Sequence, residues 1–316
     1  LAGLAAAIAS AVVFLIADDV ALLLVGRLLS GLSAGLFTGT ATAAVVEALP
    51  AAQQERAATV ATIVNIGGLG IGPVLAGLLA EYVAHPLTMP FVVHIALASL
   101  AVAAVLAAPE TSSRTGRIGV QRLAVPAEVR GVFVTASTAA FAGFAVTGLF
   151  AAIAPSFVSE VVGVDNHAVA GAIAGSIFLA SAVAQLIGRR IVAATAVAWG
   201  CAILVLAMVI LAVALTFSSL PGIIVAALVA GAGQGISFSR GLAAVVEQVP
   251  AGRRGEVSST YFVVAYVAIS LPVVGVGVAA QAWGLRTAGV SFAAAVAVLA
   301  SVCLAAILIQ RSRAAD

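Results

Sequence analysis

The sequence predicts an all-α integral membrane protein, and three observations support this fold class. Of the 316 residues, 63% are hydrophobic and 8% are charged, and the mean hydropathy is +1.25. A soluble domain carries about 25% charged residues, so this chain could not cover a water-facing surface with polar groups. Runs such as VALLLVGRLL and CAILVLAMVILAVAL are apolar on every face, unlike the alternating strands of a membrane β-barrel. Cytosolic enzymes and nucleic-acid-binding modules are thereby excluded.

Ten segments are long and apolar enough to be spanning helices. A helix that crosses the bilayer needs about 20 residues, because lipid offers no hydrogen-bond partner to an open backbone. Pro, Gly, Asp or Arg punctuates the segment ends. In chain order, the predicted spans are 1–17, 20–46, 57–80, 88–108, 131–154, 167–187, 191–216, 221–246, 257–280 and 287–309.

The first segment has the length of a signal peptide, but it lacks a basic region before its apolar run. Another full-length span follows directly after Asp18 and Asp19, so we interpret segment 1–17 as a spanning helix. The chain opens at Leu1, inside an apolar run with no charged flank. We therefore expect it to be a fragment that lacks its true start.

Arginine positions predict the orientation of the spans, because Lys and Arg are retained in cytoplasmic loops. The connections on one side, with the tail, contain Arg56, Arg114, Arg117, Arg122, Arg130, Arg189, Arg190, Arg253, Arg254, Arg311 and Arg313. The opposite connections hold a single Arg, Arg286, among the acidic residues Asp18, Asp19, Glu81, Glu160 and Asp165. We therefore expect a multi-pass protein of the cytoplasmic membrane with both ends of the chain cytoplasmic.

An internal repeat at an offset of 200 residues predicts two helical bundles. Residues 31–51 and 231–251 agree at nine of 21 positions without a gap, and both copies have the same orientation. We expect an N-terminal bundle at 1–108, a cytoplasmic linker at 109–130 and a six-helix C-terminal bundle at 131–316.

The repeat also predicts how much of the first bundle is present. The spans at 131–154 and 167–187 have no counterparts in the first half. Their counterparts would lie upstream of Leu1, in about 70 further residues and two helices. The full protein would then have twelve spans, of which this chain carries ten.

Two motifs make the chain similar to the major facilitator superfamily. The family's fourth-helix motif, Arg-x-x-x-Gly-x-x-x-Gly, is matched by Arg27, Gly31 and Gly35. The fifth-helix motif of its drug–proton antiporters, Gly-x-x-x-Gly-Pro-x-x-Gly-Gly, is matched by Gly68, Gly72, Pro73 and Gly77, with Ala76 in place of the first closing Gly. The ending APET at 108–111 also resembles the end of the family's sixth helix, and LIGRR at 186–190 resembles a reduced form of its basic loop motif.

This resemblance implies a major-facilitator-type two-bundle fold with ten of twelve transmembrane helices present. It also implies a secondary active transporter that exports a small molecule by alternating access, with the proton as coupling ion. We expect a monomer in the lipid bilayer. The alternatives are a facilitated or proton-coupled uptake permease, or a non-transporting fragment or permease subunit.

Arg27 is the charged residue with the clearest functional interpretation. It lies about two turns inside its span, where a charge costs about 3 kcal/mol unless it faces a cavity or a partner. One hypothesis is that its side chain extends to the outer interface near Asp19. The resemblance implies instead a role in proton coupling or in holding an anionic partner.

The glycine pairs and Pro73 also have two interpretations. Small residues four apart let helices approach closely in many membrane proteins. Pro73 removes a backbone hydrogen bond beside Gly72 and makes a bend. The resemblance implies that this bend seals antiporters against leak.

Other polar residues inside the spans are weaker candidates for a cavity or a gate. They are Asn65, His94, Gln185, Gln234, Arg240, Glu47 and Glu247, and the apolar lining candidates are Phe141, Phe144 and Phe238. His94 titrates in the range of a proton relay, although a lone His often makes a packing hydrogen bond. Arg240 either extends to the interface or faces the pathway, and Glu47 and Glu247 either latch loop arginines or are solvated.

The sequence predicts no enzyme, metal or cofactor chemistry. Cys201 and Cys303 each lie alone in an apolar run, without the spacing of a disulfide framework or a metal site. GGLGIG and GAGQG lie in spans with no preceding strand, and the chain contains no Lys, which argues against ATP-driven transport. No Asp or Glu lies at mid-membrane in the ten spans, so the proton-coupling carboxylate would lie in the missing helices.

Overall fold

The computed structural model describes residues 1–47, 54–108 and 123–315, and every regular element in these ranges is helical. The elements are α1 (Ala2–Ile16), α2 (Val20–Glu47), α3 (Gln54–Tyr82), α4 (Met89–Ala107), α5 (Arg130–Ala152), α6 (Ala154–Ser156), α7 (His167–Gly188), α8 (Ala193–Thr216), α9 (Leu220–Glu247), α10 (Arg254–Trp283) and α11 (Leu285–Ala315). Each predicted span overlaps one of the helices α1–α5 and α7–α11. Among the described residues, the prediction of an all-α fold is confirmed.

Within the described ranges, eight helices are long and apolar enough to cross a membrane, namely α2, α4, α5 and α7 to α11. Helix α1 has 15 residues, which makes it shorter than the roughly 20 residues of a typical spanning helix. Helix α5 ends at Ala152, two residues before the predicted end, and the short helix α6 that follows continues into a π-helical turn at Phe157–Val161. The chain is therefore a multi-pass membrane protein.

The helices form two compact units. The first comprises Leu1–Gly68 and Leu75–Ile118, and the second comprises Leu69–Val74 and Gly119–Asp316. The central turns of α3 thus belong to the second unit, although the rest of α3 belongs to the first. Most of the predicted linker, residues 109–122, lies outside the described residues, as do Pro50 and Ala51 of the internal repeat.

Side-chain caps and chain breakers define several helix ends. Asp19 accepts a hydrogen bond from the Leu22 amide at 2.7 Å, and Asn166 accepts one from the Val169 amide at 2.9 Å. Each cap satisfies one of the amides that a helix N-terminus leaves without a partner. Helix α10 ends at Gly284, whose φ of 79° lies in the left-handed region that favours glycine.

The core of the second unit is built from alanines and a few large side chains. The fully buried large residues include Leu149 and Phe150 of α5, Leu204 of α8 and Ile223 of α9. Buried alanines such as Ala207 lie between them. Lipid is as apolar as these side chains, so the helices associate through close packing of small residues.

Two glycines allow α9 to pack tightly against α7. A Cβ atom on Gly231 would collide with the Ile177 carbonyl oxygen, and one on Gly235 would collide with the Ser181 carbonyl oxygen. The equivalent residues of the repeat in the first unit, Gly31 and Gly35, have nothing within 4 Å of an added Cβ. The same glycine spacing is therefore a packing surface in the second unit and an open surface in the first.

We predict that Gly235→Ala lowers the free energy of unfolding by about 1–3 kcal/mol, because the added methyl group overpacks the α7–α9 contact. The matched control is Gly277→Ala in α10, where an added Cβ has nothing within 4 Å. Alanine is the better helix former, so this control should be neutral or stabilising by up to about 1 kcal/mol. Unfolding of the purified protein in one detergent measures both variants, and equal midpoints would contradict the packing argument.

Candidate functional site

Two glutamines predicted from the sequence come together between α7 and α9. The Ser181 hydroxyl donates to Gln234 Oε1 at 2.6 Å, and Gln185 Nε2 donates to Ser181 Oγ at 3.1 Å. Gln234 is 5% exposed and Ser181 is 4% exposed, so this polar cluster is buried within helix packing. Ser181 was not predicted from the sequence. Its spacing of four residues from Gln185, which places both on one helix face, is the signal that could have identified it.

The aromatic residues predicted as lining pack around a buried tyrosine. Phe144 and Phe238 meet edge to face at 4.8 Å between ring centroids, and Phe238 stacks on Tyr261 at 5.5 Å. Tyr261 is fully buried, and its hydroxyl lies 3.3 Å from the Ala136 carbonyl oxygen and 3.4 Å from that of Phe238. The hydroxyl has one proton, so it donates to one of these two carbonyls at a time and links α10 either to α5 or to α9. The sequence does not reveal this role, because the partners of Tyr261 lie on α5 and α9, far from it along the chain.

Phe141, the third predicted aromatic, lines a separate cavity of about 310 Å³. The buried Ser137 hydroxyl also lines this cavity and has no hydrogen-bond partner. Thr138, its neighbour on α5, is satisfied by donating to the Val134 carbonyl at 2.8 Å. The cavity therefore presents one free polar group among apolar walls.

A larger cavity, of about 430 Å³, lies where α5 and α8 begin and α9 and α11 end. We call it the end cavity. Arg240 and Glu247 of α9, both predicted from the sequence, line it together with Gln248 and Gln310. Among the described residues, the buried Nε of Arg240 has no hydrogen-bond partner. Glu247 is exposed two turns further along α9, about 10 Å away along the helix axis. The end cavity thus offers a cation, an anion and amide groups to a polar ligand.

Arg27 has an aromatic partner that the sequence analysis did not identify. Its guanidinium carbon lies 5.5 Å from the ring centroid of Phe14 on α1, and Phe14 stacks on Phe91 of α4 at 5.3 Å. Asp19, considered above as a neighbour of Arg27, caps the N-terminus of α2. Arg27 is exposed, and a cation over an aromatic ring at an exposed site gains about 0.5–1 kcal/mol. That gain is smaller than the cost of about 3 kcal/mol for a charge in a membrane span, so Arg27 also requires water or an anionic partner.

The remaining candidates of the first unit are largely exposed. Asn65 on α3 and His94 on α4 are both exposed. Helix α2 extends to Glu47, whose side chain lies outside the described residues. The two glutamates of the repeat therefore remain a prediction as gate residues.

The close contact of the α3 motif is made by Gly70, a position that the motif leaves unspecified. Gly68 and Gly72 have nothing within 4 Å of an added Cβ, whereas Gly77 is buried. In the second unit, a Cβ on Gly70 would lie 2.8 Å from the Leu179 side chain of α7.

Gly175 of α7 forms the other side of this contact. A Cβ on Gly175 would collide with the Gly70 carbonyl oxygen and would lie 2.6 Å from the Val74 side chain. Pro73, half-buried inside α3, lies between Gly70 and Val74 in the sequence. The bend predicted at Pro73 would therefore lie in the turn of α3 that packs on α7.

The described residues contain no group of three or more His, Cys, Asp or Glu side chains that could hold a metal ion. The polar cluster, the end cavity and Arg27 provide hydrogen-bonding groups and single charges instead. Such groups can bind and release a solute without breaking a covalent bond.

Comparisons with known proteins agree with this description. Residues 1–273 match the model of the Major Facilitator Superfamily. A bacterial homologue of the human lysosomal transporter Spinster, in an inward-facing and occupied conformation, matches with a TM-score of 0.61 at 14% identity, over 98% of this chain and 82% of that chain. A bacterial metal transporter matches with a TM-score of 0.53 at 15% identity, over 97% of this chain and 81% of that chain. Among curated proteins, no sequence matches. At these identities, the solved structures show the fold alone.

Proposed function

Because this chain belongs to the Major Facilitator Superfamily, whose model matches residues 1–273, we propose that it is a proton-coupled antiporter that exports a small, amphipathic molecule. The family makes the chain a secondary transporter of small-molecule substrates within a lipid bilayer. Export, antiport and the proton as coupling ion are our proposal. Alternating access of two bundles supplies the transport cycle.

The observation that carries the proposal is the packing of the central turns of α3, which contain Pro73 of the antiporter-type motif, on α7 through Gly70. Pro73 deprives α3 of one backbone hydrogen bond, so the helix can bend at this point. Gly70 and Gly175 bring the two backbones so close that no side chain fits between them. A contact without intervening side chains leaves little room for water or ions, which supports a sealing role.

Arg27 is proposed as the coupling residue. Its stacking on Phe14 offsets only part of the cost of a charge in the membrane, so an anionic substrate group or a carboxylate would bind it favourably. His94 is the alternative relay. Arg240, Glu247 and the polar cluster of Ser181, Gln185 and Gln234 are proposed to contact solute or gate its passage, since all bear free or exchangeable hydrogen-bonding groups.

We expect expression in an export-deficient cell to lower the accumulation of an amphipathic dye. A protonophore should restore accumulation, because it collapses the gradient that drives antiport. Dye fluorescence in intact cells measures both effects. Export that is indifferent to the protonophore would exclude proton coupling, accumulation that rises on expression would favour the uptake permease, and no change would favour the non-transporting alternatives.

The sealing role predicts that Gly175→Ala makes the protein leak protons. The added methyl group meets the Gly70 carbonyl oxygen and separates α3 from α7. The variant reconstituted in vesicles should dissipate an imposed pH gradient faster than the parent protein in the absence of substrate. The matched control is Gly67→Ala on α3, where an added Cβ has nothing within 4 Å. Identical leak rates for Gly175→Ala and the parent would contradict the seal.

The coupling role predicts that Arg27→Ala abolishes transport while the protein still inserts into the membrane. Loss of the guanidinium removes the charge that would hold the anionic partner. The control is Arg286→Ala, which removes an exposed arginine bonded to Ser218 at 2.8 Å and should leave transport unchanged. Transport and membrane content are measured in the same cells, and full transport by Arg27→Ala would reduce Arg27 to an interfacial anchor.

A further inference from the structure

The two cysteines of the chain, 102 residues apart in sequence, are neighbours in the second unit. Helix α8 supplies Cys201 and helix α11 supplies Cys303, and both belong to one small buried cluster. Both thiols are free, and they lie within hydrogen-bonding reach of each other. The Cys303 thiol also donates to the Thr135 carbonyl oxygen of α5 at 3.4 Å. The sequence does not reveal this pair, because cysteine motifs are recognised by short spacings and these two residues are far apart along the chain.

We propose that Cys201 and Cys303 form a dithiol site that binds one soft divalent cation with two-coordinate geometry. Thiolate ligands select soft metals. With mercuric chloride as the donor, two S–H bonds and two Hg–Cl bonds break and two Hg–S bonds form. The products are a neutral mercury dithiolate, two protons and two chloride ions. This inference rests on the packing of the second unit and does not depend on the transport direction or on proton coupling.

The surroundings of the thiols determine the charge of the cation. The cluster around them is apolar and includes Ala139, Val197, Ala198 and Ile307. An uncompensated charge in such a site is strongly unfavourable. Two thiolates and a divalent ion give a neutral product. Two thiolates with a monovalent ion would leave a net negative charge, and one thiolate with a divalent ion would leave a net positive charge.

The number of ligands determines the coordination. A structural zinc ion requires four ligands. In the ranges that the structure describes, no third His, Cys, Asp or Glu completes a group around any candidate metal position. The pair therefore suits an ion that is satisfied by two sulfur atoms.

The end cavity lies next to the dithiol. Val197 and Ile307 line both the cavity and the cysteine cluster. Each lies four residues from its cysteine, which is one helical turn or about 6 Å. Thr135, whose carbonyl oxygen accepts from Cys303, lines the cavity as well. A small neutral complex such as mercuric chloride that enters this space of about 430 Å³ is therefore about one helical turn from the buried thiols, and the side chains of the shared wall must move for it to reach them.

The test titrates the full, detergent-purified chain with mercuric chloride in the presence of a competing monothiol. Since the chain contains two cysteines, the variants Cys201→Ser, Cys303→Ser and the double variant define every thiol contribution. We expect one mercury per chain by intact mass, and a resistance to the competing thiol about 10²- to 10⁴-fold greater than in either single variant, because the second sulfur binds intramolecularly. The double variant reports binding to groups other than thiols.

A second measurement distinguishes chelation from a loss of folding in the variants. Mercury should raise the unfolding temperature of the parent protein, because it links α8 to α11, and should not raise that of Cys201→Ala or Cys303→Ala. Two mercury ions per chain, or equal competition by the monothiol in the parent and the single variants, would overturn the proposal. Either result would leave the transport proposal intact.

Discussion

The need to satisfy backbone hydrogen bonds in a solvent that offers none governs the whole structure. Each segment that crosses the bilayer must form its bonds within itself, so the chain is helical in all the ranges described. Lipid removes the hydrophobic force between helices, which leaves close packing and a few polar contacts to hold them together. The alanine-rich core of the second unit, with single large side chains such as Phe150 and Leu204, follows from this constraint.

Helix α7 makes close contacts through small residues on two sides. One of its faces meets α9 at Gly231 and Gly235, and its Gly175 meets the central turns of α3 at Gly70. The first contact holds the second unit together. The second contact lies beside Pro73, which removes one backbone hydrogen bond from α3. Helix α7 therefore packs through small residues on both sides, on α9 and on the central turns of α3.

Polar groups are few, and each has a specific environment. Ser181, Gln185 and Gln234 satisfy one another, and the Tyr261 hydroxyl reaches backbone carbonyls. Arg27 stands apart, because a ring contact with Phe14 does not balance its charge. The Nε of Arg240 is likewise buried without a partner at the end cavity. These two arginines are the charged groups on which our proposal for solute binding and coupling depends.

The sequence by itself determined the fold class, the ten helices and the motif resemblance. The reason is that the length of an apolar segment and its residue types are local properties, and the thickness of the bilayer sets the length that a spanning helix needs. It also singled out Gln185 and Gln234, which do meet. Only the tertiary structure decided that Gly70 and Gly175 make the close contact while Gly68 and Gly72 stay open, and that Cys201 lies beside Cys303. Helices that are apolar on every face carry no stripe to fix their rotation, so their neighbours are set by packing between distant residues.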